Sequence, residues 1–261
     1  MIDEIHKLLD VLMLRHSRRT VDAALKEAQQ KKSSYSAFLL KLLEEEHRDK
    51  RNRMIANRIK NSGLKELWML ETFPWHIQSC LSKSRRAILE LAELDFIDRG
   101  ESVVFSGLAG VGKSGLASGI LLKALLAGRS VMARSAQDLF DELGASLADR
   151  STKRLLQRLS RIDVLLIDEF GYVNAPSQVQ INNFFRLMDG RCNRKSTIIT
   201  TNLGFQEWGK FLGNGPLTAA LLSRLLQTCR VFPFPPAAVN LREPGLKLPA
   251  KAPRPAILDA I

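Results

Sequence analysis

The residues Gly107-Leu108-Ala109-Gly110-Val111-Gly112-Lys113-Ser114 satisfy the spacing G-x-x-x-x-G-K-[ST] at every specified position. Glycines let a backbone curl until successive N–H groups point inward at phosphate oxygens. A helix starting at the lysine adds the positive end of its dipole. Lys113 then supplies a mobile charge for β- and γ-phosphates, and the Ser114 hydroxyl can ligate Mg²⁺. A second set is Val164-Leu165-Leu166-Ile167-Asp168-Glu169, an apolar run closed by two carboxylates. Such a run reads as a buried strand whose C-terminal end emerges beside the phosphate loop, where ligands of open α/β sheets bind. Asp168 is expected to hold Mg²⁺ through water, and Glu169 to act as general base on the attacking water. A third set, Ser196-Thr197-Ile198-Ile199-Thr200-Thr201-Asn202, ends a strand on an amide suited to sense a γ-phosphate or the lytic water. The plainer reading of Asn202 is a strand-end turn residue.

Two arginines complete the candidates. Arg224 sits in the apolar run Leu221-Leu222-Ser223-Arg224-Leu225-Leu226 and could stabilise a transferred phosphoryl group in trans. A salt-bridged surface arginine explains the same pattern. Arg242 lies beyond a cluster of prolines and could act on the site in cis. No other catalytic set emerges. His6, His16, His47 and His76 all precede the phosphate loop and form no metal-ligand pair. Cys80, Cys192 and Cys229 are an odd number without a CxxC pair, which supports neither a disulfide framework nor a zinc site.

The surrounding chain has to position these groups. Its 261 residues are 45% hydrophobic and 25% charged, which fits one full domain plus an appendage and rules out wholesale disorder. No apolar run approaches the ~18 residues of a membrane span. The N-terminus MIDEIHKLLDVLMLRHSRRT is acidic early and has no small-residue cleavage site, so a reducing, cytoplasmic compartment is expected. The net charge of +12 favours a polyanionic partner, nucleic acid first.

Residues 1–72 carry Gly63 as their lone glycine and no proline, and Ile5, Leu8, Leu9, Leu12, Ala37, Leu40 and Leu43 recur at helical spacing. A small all-α domain of three or four helices is expected there, either a packing appendage or a partner-binding module. Pro74 breaks the helical pattern and opens a linker. Phe73 and Trp75 pack over the next domain or approach a base. From about residue 84 to 229, SVVFS, RSVMARS, DVLLIDE and STIITTN alternate with helical segments, the mark of a parallel sheet covered on both faces. The segment from Val231 onward holds seven of the ten prolines and reads as an extended, mobile tail.

Together these stretches resemble the IstB-like family of AAA+ ATPases, helpers of insertion-sequence transposases and relatives of the helicase loader DnaC. The likeness runs over about residues 73–242, through RRAILELAELDFIDRGESVVFSGLAGVGKSGLA, LLIDEFGYVNAPS, STIITTNLGFQEWGKFLG and LTAALLSRLL. It implies an α/β P-loop fold of the AAA+ type, a five-stranded parallel sheet between helices, after a 1–72 helical domain that binds the transposase. Residues 243–261 form the tail. It implies that Gly107–Ser114 bind ATP and Mg²⁺, that Asp168 and Glu169 are the metal-associated and catalytic carboxylates, and that Asn202 is a strand-borne sensor. It further implies that Arg224 bridges subunits and that Arg242 falls near a second sensor arginine, with Leu241 where the family has Tyr. The phosphate loop departs at Leu108-Ala109, where Pro-Pro is common, and at Ser114, where Thr is commoner. Neither exchange removes a required atom. The implied activity is ATP hydrolysis by a homo-oligomer on duplex DNA that directs a transposase. A helicase loader, or a scaffold that binds ATP without hydrolysing it, are the alternatives. Lys153, Arg154, Arg191, Arg194 and Lys195 are candidate contacts to DNA phosphates.

Overall fold

The computed structural model describes residues 1–172, 176–213, 215–243 and 246. The tail expected at 243–261 lies outside these, apart from Glu243 and Leu246. The chain divides into two compact units, one of Met1–Asn57 and one that begins at Arg58, earlier than the boundary expected after residue 72. No break in helical sequence marks that point, because helix α3 (Tyr35–Asn61) runs through it.

The first unit holds α1 (Ile2–Val11), α2 (Arg15–Gln30) and the body of α3. Its interior is small and partly polar. Val21 and Leu42 are buried, and so is Glu46, whose carboxylate accepts the Ser17 backbone N–H at 2.7 Å. Several of the apolar residues that recur at helical spacing face solvent. Leu8 is 60% exposed, and Leu12, Leu40 and Leu43 are exposed with it. The three helices bury little apolar area among themselves, so the stripe that a larger domain would cover stays open.

The second unit is built on a fully parallel five-stranded sheet in the order β2-β3-β4-β1-β5. After α4 (Ser82–Glu90) and α5 (Asp95–Asp98), the chain alternates β1 (Ser102–Ser106), α6 (Lys113–Leu126), β2 (Val131–Ser135), α7 (Ala136–Ala148), α8 (Thr152–Arg161), β3 (Val164–Phe170), α9 (Gln178–Arg191), β4 (Ser196–Thr201), α10 (Phe205–Phe211), α11 (Gly215–Gln227) and β5 (Cys229–Pro233). The register lines up Ile167, Ile199 and Val104 in one row, and these join the core beneath α7, α9 and α11. Alternation sends the neighbouring row, Leu166, Ile198 and Val103, to the opposite face. There α6 packs, buried along most of its length, which is why it is rich in Ala, Gly and Leu. The four strands legible as apolar runs are all present. The fifth, Cys-Arg-Val-Phe-Pro, has no continuous apolar run, and it lies at the sheet edge where its terminal Pro233 costs no central ladder bond. Residues 231–233, expected to open the extended tail, are therefore part of the sheet.

Helix starts follow local chemistry. Ser135 accepts the Asp138 N–H at 3.0 Å ahead of α7. Ser177 and Gln180 form a capping box on α9. Among the described residues no helix is long and apolar enough to cross a membrane.

Candidate active site

The C-terminal ends of β2, β3 and β4 and the loop that follows β1 converge on one cavity of about 400 Å³. Lys113, Ser114, Asp168, Glu169, Asn202 and Arg242 all line it, with Ala109, Gly110 and Gly112 of the loop. Gly107, Leu108 and Val111 shape the loop from outside that lining. The chain leaves β1 at Ser106, curls through the glycines, and enters α6 from Gly112 at φ +101°, a left-handed cap that favours glycine. A side chain at Gly112 would also strike the Phe73 ring and Leu241. The Lys113 ammonium donates to the carbonyls of Gly107 (2.8 Å) and Leu108 (2.7 Å). Burial pushes its pKa below that of an ordinary lysine. Arg242 adds to this, and the carboxylates of Asp168 and Glu169 act against it. A polyphosphate between Lys113 and Arg242 would neutralise both cations.

The carboxylate pair sits where β3 loses its register with β4, between Ile167 and Phe170. Asp168 Oδ1 accepts the Ser114 hydroxyl at 2.7 Å and also the Thr200 hydroxyl. Thr200 in turn accepts the Glu169 backbone N–H at 2.9 Å. Glu169 has φ +58°, a strained value for a residue with a side chain, and its side chain is exposed. One β4 hydroxyl thus fixes the two acidic residues in different roles, Asp168 turned to the loop and Glu169 turned out. The facing hydroxyl and carboxylate oxygens of Ser114 and Asp168 are a donor set that suits Mg²⁺. Asn202 follows β4 directly and backs onto Gly171, where a Cβ would lie 2.9 Å from the amide oxygen.

Arg224 stands apart. It is 60% exposed on α11, pairs with Asp189 of α9, and does not line this cavity. Arg191 corrects the charge-based reading. Its guanidinium is buried and donates to Thr197 Oγ1 (3.0 Å) and to the carbonyls of Leu159 (2.5 Å), Ile162 (2.9 Å) and Ser196. Burial brings its pKa down to about 10. It holds strands and helices together and offers nothing to a phosphate chain. Lys195 is engaged with Asp163 at 2.5 Å. Arg194, Lys153 and Arg154 are exposed, and the last two line a shallow concavity with Arg150.

Sequence reasoning missed the parts played by Thr200, Trp68 and Gln78. Thr200 was hidden in the apolar-Thr strand pattern. Trp68 lines the cavity, with its ring carbons 3.2–3.4 Å from where Gly115 would carry a Cβ. Phe73 and Trp75 meet edge to face at 4.7 Å, and Phe73 is buried behind the loop. Gln78, buried, joins that loop to the Arg242 segment. Its partners in the loop and in that segment are main-chain atoms, which leave no sequence signature.

Against known families, residues 7–243 match the model of the IstB-like ATP-binding proteins. The chain belongs to this family. It is 32% identical over 240 residues to the ATP-binding protein named for insertion sequence IS21 of Pseudomonas aeruginosa, covering 92% of this chain and 89% of that one. The IS5376 counterpart of Geobacillus stearothermophilus is 34% identical over 214 residues, 82% of this chain and 84% of its own. Among solved structures, the DnaC helicase loader superposes with a TM-score of 0.51 at 21% identity, over 59% of this chain and 89% of that one. AMPPCP-bound DnaA from Aquifex aeolicus gives 0.54 at 19% identity, over 66% and 51%. The fold is that of a P-loop AAA+ protein, as the family resemblance implied. ATP binding is the property that the family's description carries.

Proposed function

We propose that this chain is an ATPase that assembles with copies of itself on duplex DNA and assists an insertion-sequence transposase. The observation that carries the reading is the single cavity in which Lys113, Ser114, Asp168, Glu169, Asn202 and Arg242 meet. The roles follow from position. Lys113 and the loop N–H groups hold the β- and γ-phosphates. Ser114 and Asp168 hold Mg²⁺, which when bound offsets the charge of the phosphate oxygens. Glu169, held away from the loop by the turn at its own backbone, takes the proton of the attacking water. Asn202 orients that water or the γ-phosphate. Arg242 steadies the phosphates from within the same chain.

Arg224 lies outside its own cavity and is exposed, so it is available to a neighbour's γ-phosphate. ATP would then join subunits, and hydrolysis would loosen them. The surplus of 39 Lys+Arg over 27 Asp+Glu favours binding to duplex phosphates without sequence choice. Exposed Arg194, Lys153 and Arg154 remain the candidate contacts. The open apolar residues of the first unit, such as Leu8 and Leu12, suit a protein partner, which this reading takes to be the transposase. The compartment is the cytoplasm.

Light scattering tests the reading directly. The purified chain is mixed with ATP–Mg²⁺ and a short random-sequence duplex, with Lys113→Ala alongside. Large assemblies that need both ATP and duplex, and that the variant does not form, are expected. A chain that ignores duplex and responds only to single strands would overturn the transposition reading in favour of a helicase loader.

A further inference from the structure

We propose that Gln78 is a positioning residue that ties the phosphate loop to the segment carrying Arg242, so that loop and arginine engage a polyphosphate as one unit. The inference rests on the ATP-site reading above. Gln78 is 1% exposed, and its amide makes contacts at both ends. The Nε2 group donates to the Val111 carbonyl of the loop at 2.9 Å and to the Val239 carbonyl at 2.5 Å. The Oε1 atom accepts the Val239 N–H at 3.1 Å and the Cys80 thiol at 3.6 Å. Both N–H donors and both acceptor directions of the amide are therefore used. The Val239 N–H demands an acceptor and the two carbonyls demand donors, so the orientation of the amide is fixed by its surroundings.

The amide pairs with both polar atoms of the Val239 peptide, as a neighbouring strand would, and spends its remaining donor on the loop. It is itself held by the turn after Pro74, where the Gln78 N–H reaches the Pro74 carbonyl at 3.1 Å and its own carbonyl accepts the Leu81 N–H at 3.0 Å. A second stitch lies one residue before Val111 in the loop. The Leu241 N–H donates to the Gly110 carbonyl at 2.9 Å, and Asn240 Oδ1 accepts the Arg242 N–H at 3.0 Å. Gly110 has φ +80°, and any side chain there would collide with Asn240. The segment thus lies directly on the back of the loop. Without Gln78, the buried Val111 carbonyl and both polar atoms of half-buried Val239 would lose these partners, and Arg242 would lose its fixed distance from Lys113.

A double-mutant cycle on binding of a fluorescent ATP analogue separates this role from simple packing. Gln78→Leu removes every bond. Gln78→Glu keeps shape and the acceptor for Val239 but lacks both donors. Each is made alone and with Arg242→Ala, and melting temperatures confirm that all variants fold. Each single variant is expected to weaken binding about tenfold, as for a buried amide stripped of partners. In the Arg242→Ala background the further loss should shrink to about twofold or less, because the arginine it positions is gone. An equal loss in both backgrounds, or none in the single variants, overturns the proposal. Hydrogen exchange of the nucleotide-free chain gives an independent reading. The Leu241 amide should exchange faster in Gln78→Glu while sheet amides do not, and unchanged protection there overturns the proposal as well. If the wild type and Lys113→Ala bind the analogue equally, the ATP-site reading itself fails and takes the inference with it. That pattern differs from every other outcome.

Discussion

Lys113 brings a positive charge into a half-buried cavity that Arg242 already faces, and this sets how ATP binding depends on pH. The phosphate-binding form is the cation. Its pKa is lowered by burial and by Arg242. Affinity should therefore be full at neutral pH and fall as pH rises through that pKa, sooner than the ~10.4 of a free lysine would give. Bound phosphates favour the cation, so calorimetry in buffers of different ionisation heat should show proton uptake on binding at alkaline pH and little at pH 7. Affinity that stays flat up to pH 11 would contradict this. Glu169→Gln should leave ATP affinity within about twofold and cut hydrolysis by on the order of 10²-fold or more, the usual contribution of a general base. Single-turnover phosphate release checks it, and a wild-type rate would remove Glu169 from the mechanism. At this scale the sequence was legible where the groups that meet in the cavity are consecutive residues. Gly107–Ser114 and Asp168–Glu169 are such runs. Arg191 was misread because a count of charges does not report burial. Gln78 and Thr200 were unreadable because what matters is the main-chain or carboxylate atom each one meets across the fold.

The elements meet at both ends of the strands, and the second end is about stability. At the N-terminal ends of the strands, away from the cavity, Asp163 takes the Ser130 N–H at 3.0 Å, the Ser130 hydroxyl at 2.7 Å and the Lys195 ammonium at 2.5 Å. One carboxylate thereby gathers the starts of β2, β3 and β4. Burial alone would raise its pKa, but Lys195 and Ser130 outweigh it and hold the carboxyl at about 2 against an ordinary 3.8. The folded state prefers the ionised form. This contribution, about 2 kcal/mol, is present above pH 4 and is lost as pH falls toward 2. Asp163→Asn should lower the urea midpoint at pH 7, lose its difference from the wild type by pH 2, and leave ATP binding unchanged. An equal difference at both pH values would rule out the charge as its cause. Four strands could be read from sequence because each is a short apolar run bounded by helix signals. The fifth was obscured by Pro233, which an edge position tolerates. Helical periodicity in the first unit gave helices correctly but not their buried faces, since Leu8, Leu12 and Leu40 are left open by so small a bundle.

For the whole molecule the decisive question is whether one chain makes a complete site. Arg224, engaged with Asp189 on the surface, should contribute nothing to ATP binding by an isolated chain. Arg224→Ala is expected to bind ATP normally and to lose DNA-stimulated hydrolysis by about a thousandfold, the effect of a missing arginine finger. Mixing it with Lys113→Ala should restore part of the activity, because the second chain still offers Arg224 to the ATP of the first. Two dead variants that stay dead together would show that Arg224 acts, if at all, within its own chain. A last consequence concerns selection rather than chemistry. The left-handed backbone at Glu169, φ +58°, strains any residue with a full side chain and is relieved by glycine or asparagine. A library sorted only for heat endurance should therefore accumulate those residues at position 169, gaining on the order of 1 kcal/mol each while discarding the base. Survivors of such a sort would be the more robust proteins and the idle ones, and sequencing position 169 would distinguish them before any assay.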